Sequence, residues 1–326
     1  MKEIELSTWK GTADYKHFEK GLIKSPGNHL LCVGMTGSGK TMKAIAISKW
    51  CLDAGKTAVW FDTWKPDDLN YLLHYTKKAT ILHPPDCKVI ISDKTTYDIT
   101  LKEIRDPKTL FREIDKGLNI ICIRQFIRDT PPFVKYMGDV MTGLIDDAFD
   151  KKIKVKPIQI FMDEFQTICP SKRLHHLRSQ QMLGSKIVNN LLMLRSIGVG
   201  FCAFTQSYRN IMPATRLQFS YYLICKDPDG DLADYIGKLL LRFANLFSKF
   251  TPAQGTIIHP NGRFTDIVTW PMPNKDNFEI NYEGRVIESE QVGDSIVLNV
   301  RVSREEAARI KGEGGIKSLL QKASHT

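Results

Sequence analysis

The stretch GMTGSGKT, Gly34 to Thr41, follows a short apolar run, HLLCVG, and precedes a periodic segment, TMKAIAISKWCLDAG, whose final glycine suits a helix cap. The pattern G-x-x-x-x-G-K-[ST] in the order strand, loop, helix leaves few folds open. Its glycines let backbone N–H groups converge on phosphates, and the helix N-terminus adds its dipole. Gly34, Thr36, Gly37, Ser38, Gly39, Lys40 and Thr41 are the expected cradle for ATP. Lys40 should reach the β- and γ-phosphates, and the Thr41 hydroxyl should hold Mg2+.

KTAVWFD supplies a second strand ending at Asp62 and completes one βαβ unit. LNIICIRQF (Leu118 to Phe126), PIQIFMDEF, VGFCAFTQ and FSYYLICKD read as further buried strands. Helical patterns alternate with them in PPFVKYMGDVMTGLIDDAFDKK, SKIVNNLLMLRSIG and DLADYIGKLLLRFANLF. This alternation predicts an α/β chain of the P-loop NTPase class, its mainly parallel sheet flanked by helices, with a small C-terminal appendage. Between Tyr71 and Asp115 the pattern is weaker, with KVIIS as a short strand and DPKTLFREIDKG as a turn and helix. Three regions are expected: a lead-in over 1–25 folding over the nucleotide, a P-loop ATPase domain over 26–250, and an appendage over 251–326. In the last, GTIIHPNGRFTDIVTW reads as a hairpin turning at Asn261–Gly262, and SREEAARIKGEGG as a helix capped by Ser303 with Glu306 three residues on.

The chain has 326 residues, enough for one large domain, and no run of 18 apolar residues that would span a membrane. MKEIELSTWK lacks the apolar core of a signal peptide, so a cytoplasmic site of action is expected. The formal charge of +10 favours contact with polyanions, and ordinary surface solubility would also account for it. None of the seven cysteines forms a CxxC pair, so neither a zinc site nor a redox pair is indicated.

Hydrolysis needs a second handle on Mg2+ and a base. IQIFMDEF delivers Asp163 and Glu164 to the tip of an apolar strand: Asp163 for the metal shell, Glu164 to polarise the attacking water. A pair of acids starting a helix is the competing reading. FCAFTQS ends another strand at Thr205 and Gln206, which either sense the γ-phosphate or simply turn into solvent. Arg195 ends an apolar helix and is either a finger donated to a neighbour or a partner for the helix dipole, with Arg209, Arg216 and Arg242 as rivals. The stretch SKRLHHLRSQQ offers Lys172, Arg173 and Arg178 for DNA phosphates, or forms a solvated basic face. His175 and His176 lack a third ligand for zinc.

Taken together, SPGNHLLCVGMTGSGKT, MDEF followed by CPSK, and LRSIGVGFCAFTQS resemble the motifs of the FtsK/HerA superfamily of DNA-pumping ATPases, in the same order and over roughly 26–240. FDTWKPDDL takes the place of that family's second-strand element, with Asp62 and Lys65 aligned loosely. The resemblance implies a RecA-like core, Gln206 as sensor and Arg195 as an intersubunit finger. It also implies a homo-oligomeric ring, a hexamer, acting on double-stranded DNA. The compact motor is most similar to the genome-packaging ATPases of membrane-containing viruses, which would add a capsid-vertex or membrane-embedded docking protein. Ser207 departs from the RP that follows the sensor in cellular members. A helicase or conjugation translocase, a filamentous-phage-type assembly ATPase and a nucleotide-controlled scaffold remain the alternatives.

Overall fold

A computed structural model describes residues 1–62, 66–85, 87–91, 97–123, 130–172, 178–272, 280–284, 287–292 and 295–300. Lys65, Arg173, His175, His176 and the helix expected at Ser303 lie outside the described residues.

The strands are β1 (Glu3–Glu5), β2 (Leu30–Val33), β3 (Thr57–Asp62), β4 (Lys78–His83), β5 (Cys87–Ile91) and β6 (Asp98–Glu103). They continue with β7 (Leu118–Cys122), β8 (Ile158–Met162), β9 (Val199–Thr205), β10 (Tyr221–Ile224), β11 (Gln254–Ile258) and β12 (Ile267–Thr269). Eleven of these form one sheet in the order β1-β12-β11-β10-β2-β9-β8-β3-β7-β4-β6. From β10 to β6 all neighbours are parallel, and β11 alone runs against the rest. Strand β5 pairs instead with Ile280–Gly284, and Ile287–Val292 pairs with Ser295–Val300.

Both faces of the sheet are covered, so β2, β3, β7, β8 and β9 are buried at every position and read as near-continuous apolar runs, interrupted by Asn119 and Gln159. Alternate residues enter two cores. Leu31, Val33, Val59, Phe61, Ile160 and Met162 face one helical layer, and Leu30, Cys32, Ala58, Trp60 and Phe161 face the other. The main helices are α1 (Leu6–Lys10), α2 (Ala13–Phe18), α3 (Lys40–Asp53), α4 (Pro66–Thr76), α5 (Thr130–Phe149), α6 (Arg178–Ser196) and α7 (Tyr235–Arg242). Met137, Val140, Met141, Leu144 and Ala148 of α5 and Leu183, Ile187, Leu191 and Leu194 of α6 fill the first layer at helical spacing. Ala44, Ile45, Ile47 and Cys51 of α3, with Leu72 and Leu73 of α4, fill the second. No described helix is long and apolar enough to cross a membrane.

Three expectations change. The lead-in does not cover the phosphate loop. Its α1 and α2 pack Trp9 against Trp270 and Tyr15 against Trp50, near the far end of α3, because Trp9, Phe18 and Leu22 need a core to enter. The hairpin expected in the appendage instead continues the main sheet, β11 pairing with β10 and β12 receiving β1. Its turn is where expected, with Gly262 at φ 78. Finally, α6 begins at Arg178, well before SKIVNN, since Gln180 and Leu183 extend its buried stripe. Part of the expected polar loop is therefore helix.

Candidate nucleotide site

The loop Gly34–Gly39 leaves the tip of β2 and turns into α3 through Gly39, whose φ of 75 is left-handed. A side chain there would also strike the Pro252 carbonyl oxygen, 2.2 Å from an added Cβ. No acid occupies the first turn of α3, so its unpaired N–H groups stay available to an anion. Lys40 is 7% exposed, and its ammonium donates to the carbonyls of Gly34 (2.7 Å) and Met35 (2.9 Å). The cation is thereby held against the first two carbonyls of the loop.

Lys43 is a residue that motif reading passes over. It is buried, and its Nζ donates to Ser38 O (3.2 Å) and Pro252 O (2.8 Å). One side chain thus ties the phosphate loop to the segment leading into β11. A signal exists in the sequence: Lys43 occupies the stripe of Lys40, Ala44, Ile47 and Cys51, where a lysine must find buried acceptors. Behind it, the Cys32 and Cys225 sulfurs lie 3.7 Å apart. Burial opposes ionisation of both. At Cys225 the hydrogen bond from Cys32 and the Lys43 and Lys40 ammoniums outweigh burial and lower its pKa, whereas the Cys32 thiol is pushed up.

Strand β9 lies between β2 and β8. Two strand spacings, roughly 10 Å, therefore separate the tip of β8 from the strand that carries the loop. At that tip Asp163 is 8% exposed, and its Oδ1 accepts from the Glu164 N–H at 2.9 Å. Glu164 has φ 50 and ψ 42, the left-handed region that costs a non-glycine residue about 1 kcal/mol or more. The conformation is fixed from several sides. Thr167 Oγ1 and N both donate to Glu164 O at 2.9 Å, and Phe165 is wholly buried next door. Gln206 Nε2 donates to Glu164 Oε1 at 2.7 Å, and Gln166 Nε2 donates to Oε2. Gln166 is the second site residue that motif reading missed. Thr205 differs from its neighbour: its hydroxyl is buried and donates to Ser207 O at 3.0 Å, shaping the turn that presents Gln206.

Asp62 ends β3, and the Phe61 to Met162 register sets it beside Asp163 at the same sheet edge. The oxygen donors near the loop, the Thr41 hydroxyl and the Asp163 carboxylate, are the hard ligands that Mg2+ accepts.

The arginines separate by location. Arg195 ends α6 and is exposed, at the edge where the parallel strands begin, opposite its own phosphate loop. Arg216 is fully buried, held by Asp231 (3.1 Å) and Asp234 (3.4 Å) under the Tyr208 ring, which removes it as a rival finger. Arg209 donates to Gly230 O, and Arg242 stacks over Phe243. Lys172, after β8, and Arg178, the first residue of α6, are exposed at the same edge as Glu164.

No protein-family model and no curated protein matches the sequence. Solved P-loop ATPases do resemble the structure. The genome packaging NTPase B204 from Sulfolobus turreted icosahedral virus 2, in complex with AMPPCP, aligns at TM-score 0.41 and 12% identity over 76% of this chain and 100% of that one. ATPases 2 and 3 of EssC from Geobacillus thermodenitrificans align at TM-score 0.41 and 13% identity, over 77% of this chain and 41% of that one. The pCW3 conjugation coupling protein TcpA, with ATPγS, aligns at TM-score 0.37 and 16% identity, over 76% and 60%. The chemistry has to be read from the residues above.

Proposed function

We propose that the chain is an ATP-hydrolysing motor that translocates double-stranded DNA, as in genome packaging, working as a homo-oligomeric ring. The observation that carries the reading is the fixed carboxylate of Glu164, held in a left-handed turn and coupled to Gln206 on the strand beside the phosphate loop. A protein that merely holds nucleotide does not need an acid set out from the sheet in this way. Lys40 neutralises charge on the β- and γ-phosphates, Glu164 takes the proton from the attacking water, and Gln206 orients it. Mg2+, held by Thr41 and Asp163, supplies charge neutralisation on the phosphate oxygens when bound.

Arg195 lies too far from its own loop to act there, so its role in this account is on the nucleotide of a second copy in the ring. The formal charge of +10 and the exposed Lys172 and Arg178 supply grip on DNA phosphates without sequence readout. A docking protein at a capsid vertex or membrane belongs to the same proposal.

Triplex displacement tests it. A motor moving along duplex DNA strips a third-strand oligonucleotide in an ATP-dependent way while leaving the duplex paired. Displacement with an intact duplex supports the proposal. Strand separation would make the chain a helicase, and hydrolysis without displacement would point to a motor with a protein track.

A further inference from the structure

Helix α5 ends at Phe149, and DKKIKVKP, 150–157, leads from it into β8. Strand β8 runs parallel to β9, and β9 to β2, so this connection lies at the sheet edge opposite the phosphate loop. It carries four lysines against one aspartate.

The connection is firmly built. Lys152 N donates to Asp147 O (2.9 Å) and Lys151 N to Ala148 O (3.4 Å), the paired bonds of a Schellman cap, with Lys151 at φ 56 in the place that glycine usually holds. Beyond the cap, burial alternates. Ile153 is 4% exposed and Val155 packs against the same core, while Lys152, Lys154 and Lys156 face solvent. Alternate residues of extended chain stand roughly 7 Å apart, so these lysines form a row. Lys116 widens it: Gly117 O and Pro157 O accept from Ala58 N and Thr57 N, consecutive residues of β3, which sets the two lysine-bearing turns side by side. Asp150 pairs with Lys152 at 2.5 Å, and Lys116, Lys151, Lys154 and Lys156 make no ion pair among the described residues.

At the head of the row Phe149 stands 65% exposed, the only exposed phenylalanine among the described residues. Lysines alone fit any phosphate-bearing partner, duplex DNA included. The ring decides between them. A duplex backbone gives a phenyl ring no apolar partner, whereas a bilayer takes the ring among its acyl chains and the ammoniums among its headgroups.

We propose that this edge docks on an anionic lipid bilayer, with Phe149 inserted and the lysines on the headgroup phosphates. The contact goes beyond the motor reading, since it is made with lipid itself and needs neither nucleotide nor a docking protein.

Co-sedimentation with vesicles tests it. The full chain should pellet with vesicles of equal parts phosphatidylglycerol and phosphatidylcholine, and stay in solution with phosphatidylcholine alone. Lys154→Gln and Lys156→Gln should each weaken binding roughly fivefold. Phe149→Ser should weaken it roughly tenfold or more. All three side chains are exposed, so thermal midpoints should not move. No pelleting with the anionic vesicles at low salt would overturn the proposal. So would binding that Phe149→Ser leaves unchanged, and loss of duplex DNA binding in the lysine variants would then make the edge a DNA contact.

Discussion

Gln206 Nε2 donates to Glu164 Oε1 at 2.7 Å, joining the tips of two adjacent strands beside the phosphate loop. The contact couples the proposed base to the proposed γ-phosphate sensor. Glu164→Gln keeps a side chain of the same shape and an oxygen that still accepts from Gln206, but it cannot take a proton. Steady-state turnover should fall by about 10²–10⁴-fold with nucleotide affinity retained. If affinity falls together with turnover, Glu164 is holding the loop and is not acting as a base.

The tether from Lys43 to Ser38 O and Pro252 O gives a second prediction. Lys43→Met fills the same space and leaves both carbonyls without their donor. The folded state should lose about 1–3 kcal/mol, read from the denaturant midpoint. Nucleotide affinity should also drop if Ser38 belongs to the cradle, as proposed. Loss of stability with affinity unchanged would confine Lys43 to packing.

His29 carries the clearest pH dependence. Its Nδ1 accepts from Phe201 N at 3.0 Å, and its Nε2 contacts Leu191 O at 3.0 Å, which sets the Nε2–H tautomer. Burial, above all, lowers its pKa to about 4; the Leu191 bond opposes this and Arg195 assists it. The sign follows from linkage: the unfolded chain, with an ordinary value near 6.5, binds the proton first as pH falls. The stability present above pH ~6.5 is lost progressively down to pH ~4, by about 3 kcal/mol at most. Urea midpoints across that window should show the slope, and His29→Gln should flatten it. An equal slope in both proteins would assign the effect to other groups.

The core strands, the phosphate loop and the acids at Asp163 and Glu164 were legible because each is a short apolar run closed by glycine or by charge. Other parts gave no such signal. Strand β6, DITLKE, sits at the sheet edge with mostly exposed or half-exposed residues, so it needs no apolar face to form. Strand β1 is three residues long and is a strand only because β12 lies beside it. A cavity lined by His17, Asn28, Arg195, Tyr221, Tyr235 and His259 combines residues from six separate stretches of chain, and only the folded sheet edge brings them together. Gln166 and Lys43 were missed because motif spacing records what touches phosphate and omits what holds those residues in place.

Arg195 supplies the test of the ring. Arg195→Ala should leave folding unchanged, since the side chain is exposed, and should lower turnover by about 10³-fold if it acts as a finger. Each variant alone should turn over slowly, whereas a mixed ring would join an intact base in one copy to an intact finger in the next. Partial recovery on mixing is the expected result. No recovery in demonstrably mixed rings would remove Arg195 from the neighbour's site.

The most direct measurement is steady-state ATP hydrolysis with and without long double-stranded DNA, at low and moderate salt. The account predicts several-fold stimulation by DNA that fades as salt screens the phosphate contacts. Brisk hydrolysis indifferent to DNA at both salts would contradict the DNA motor, and no hydrolysis under any condition would contradict the assignment of Glu164 as a base.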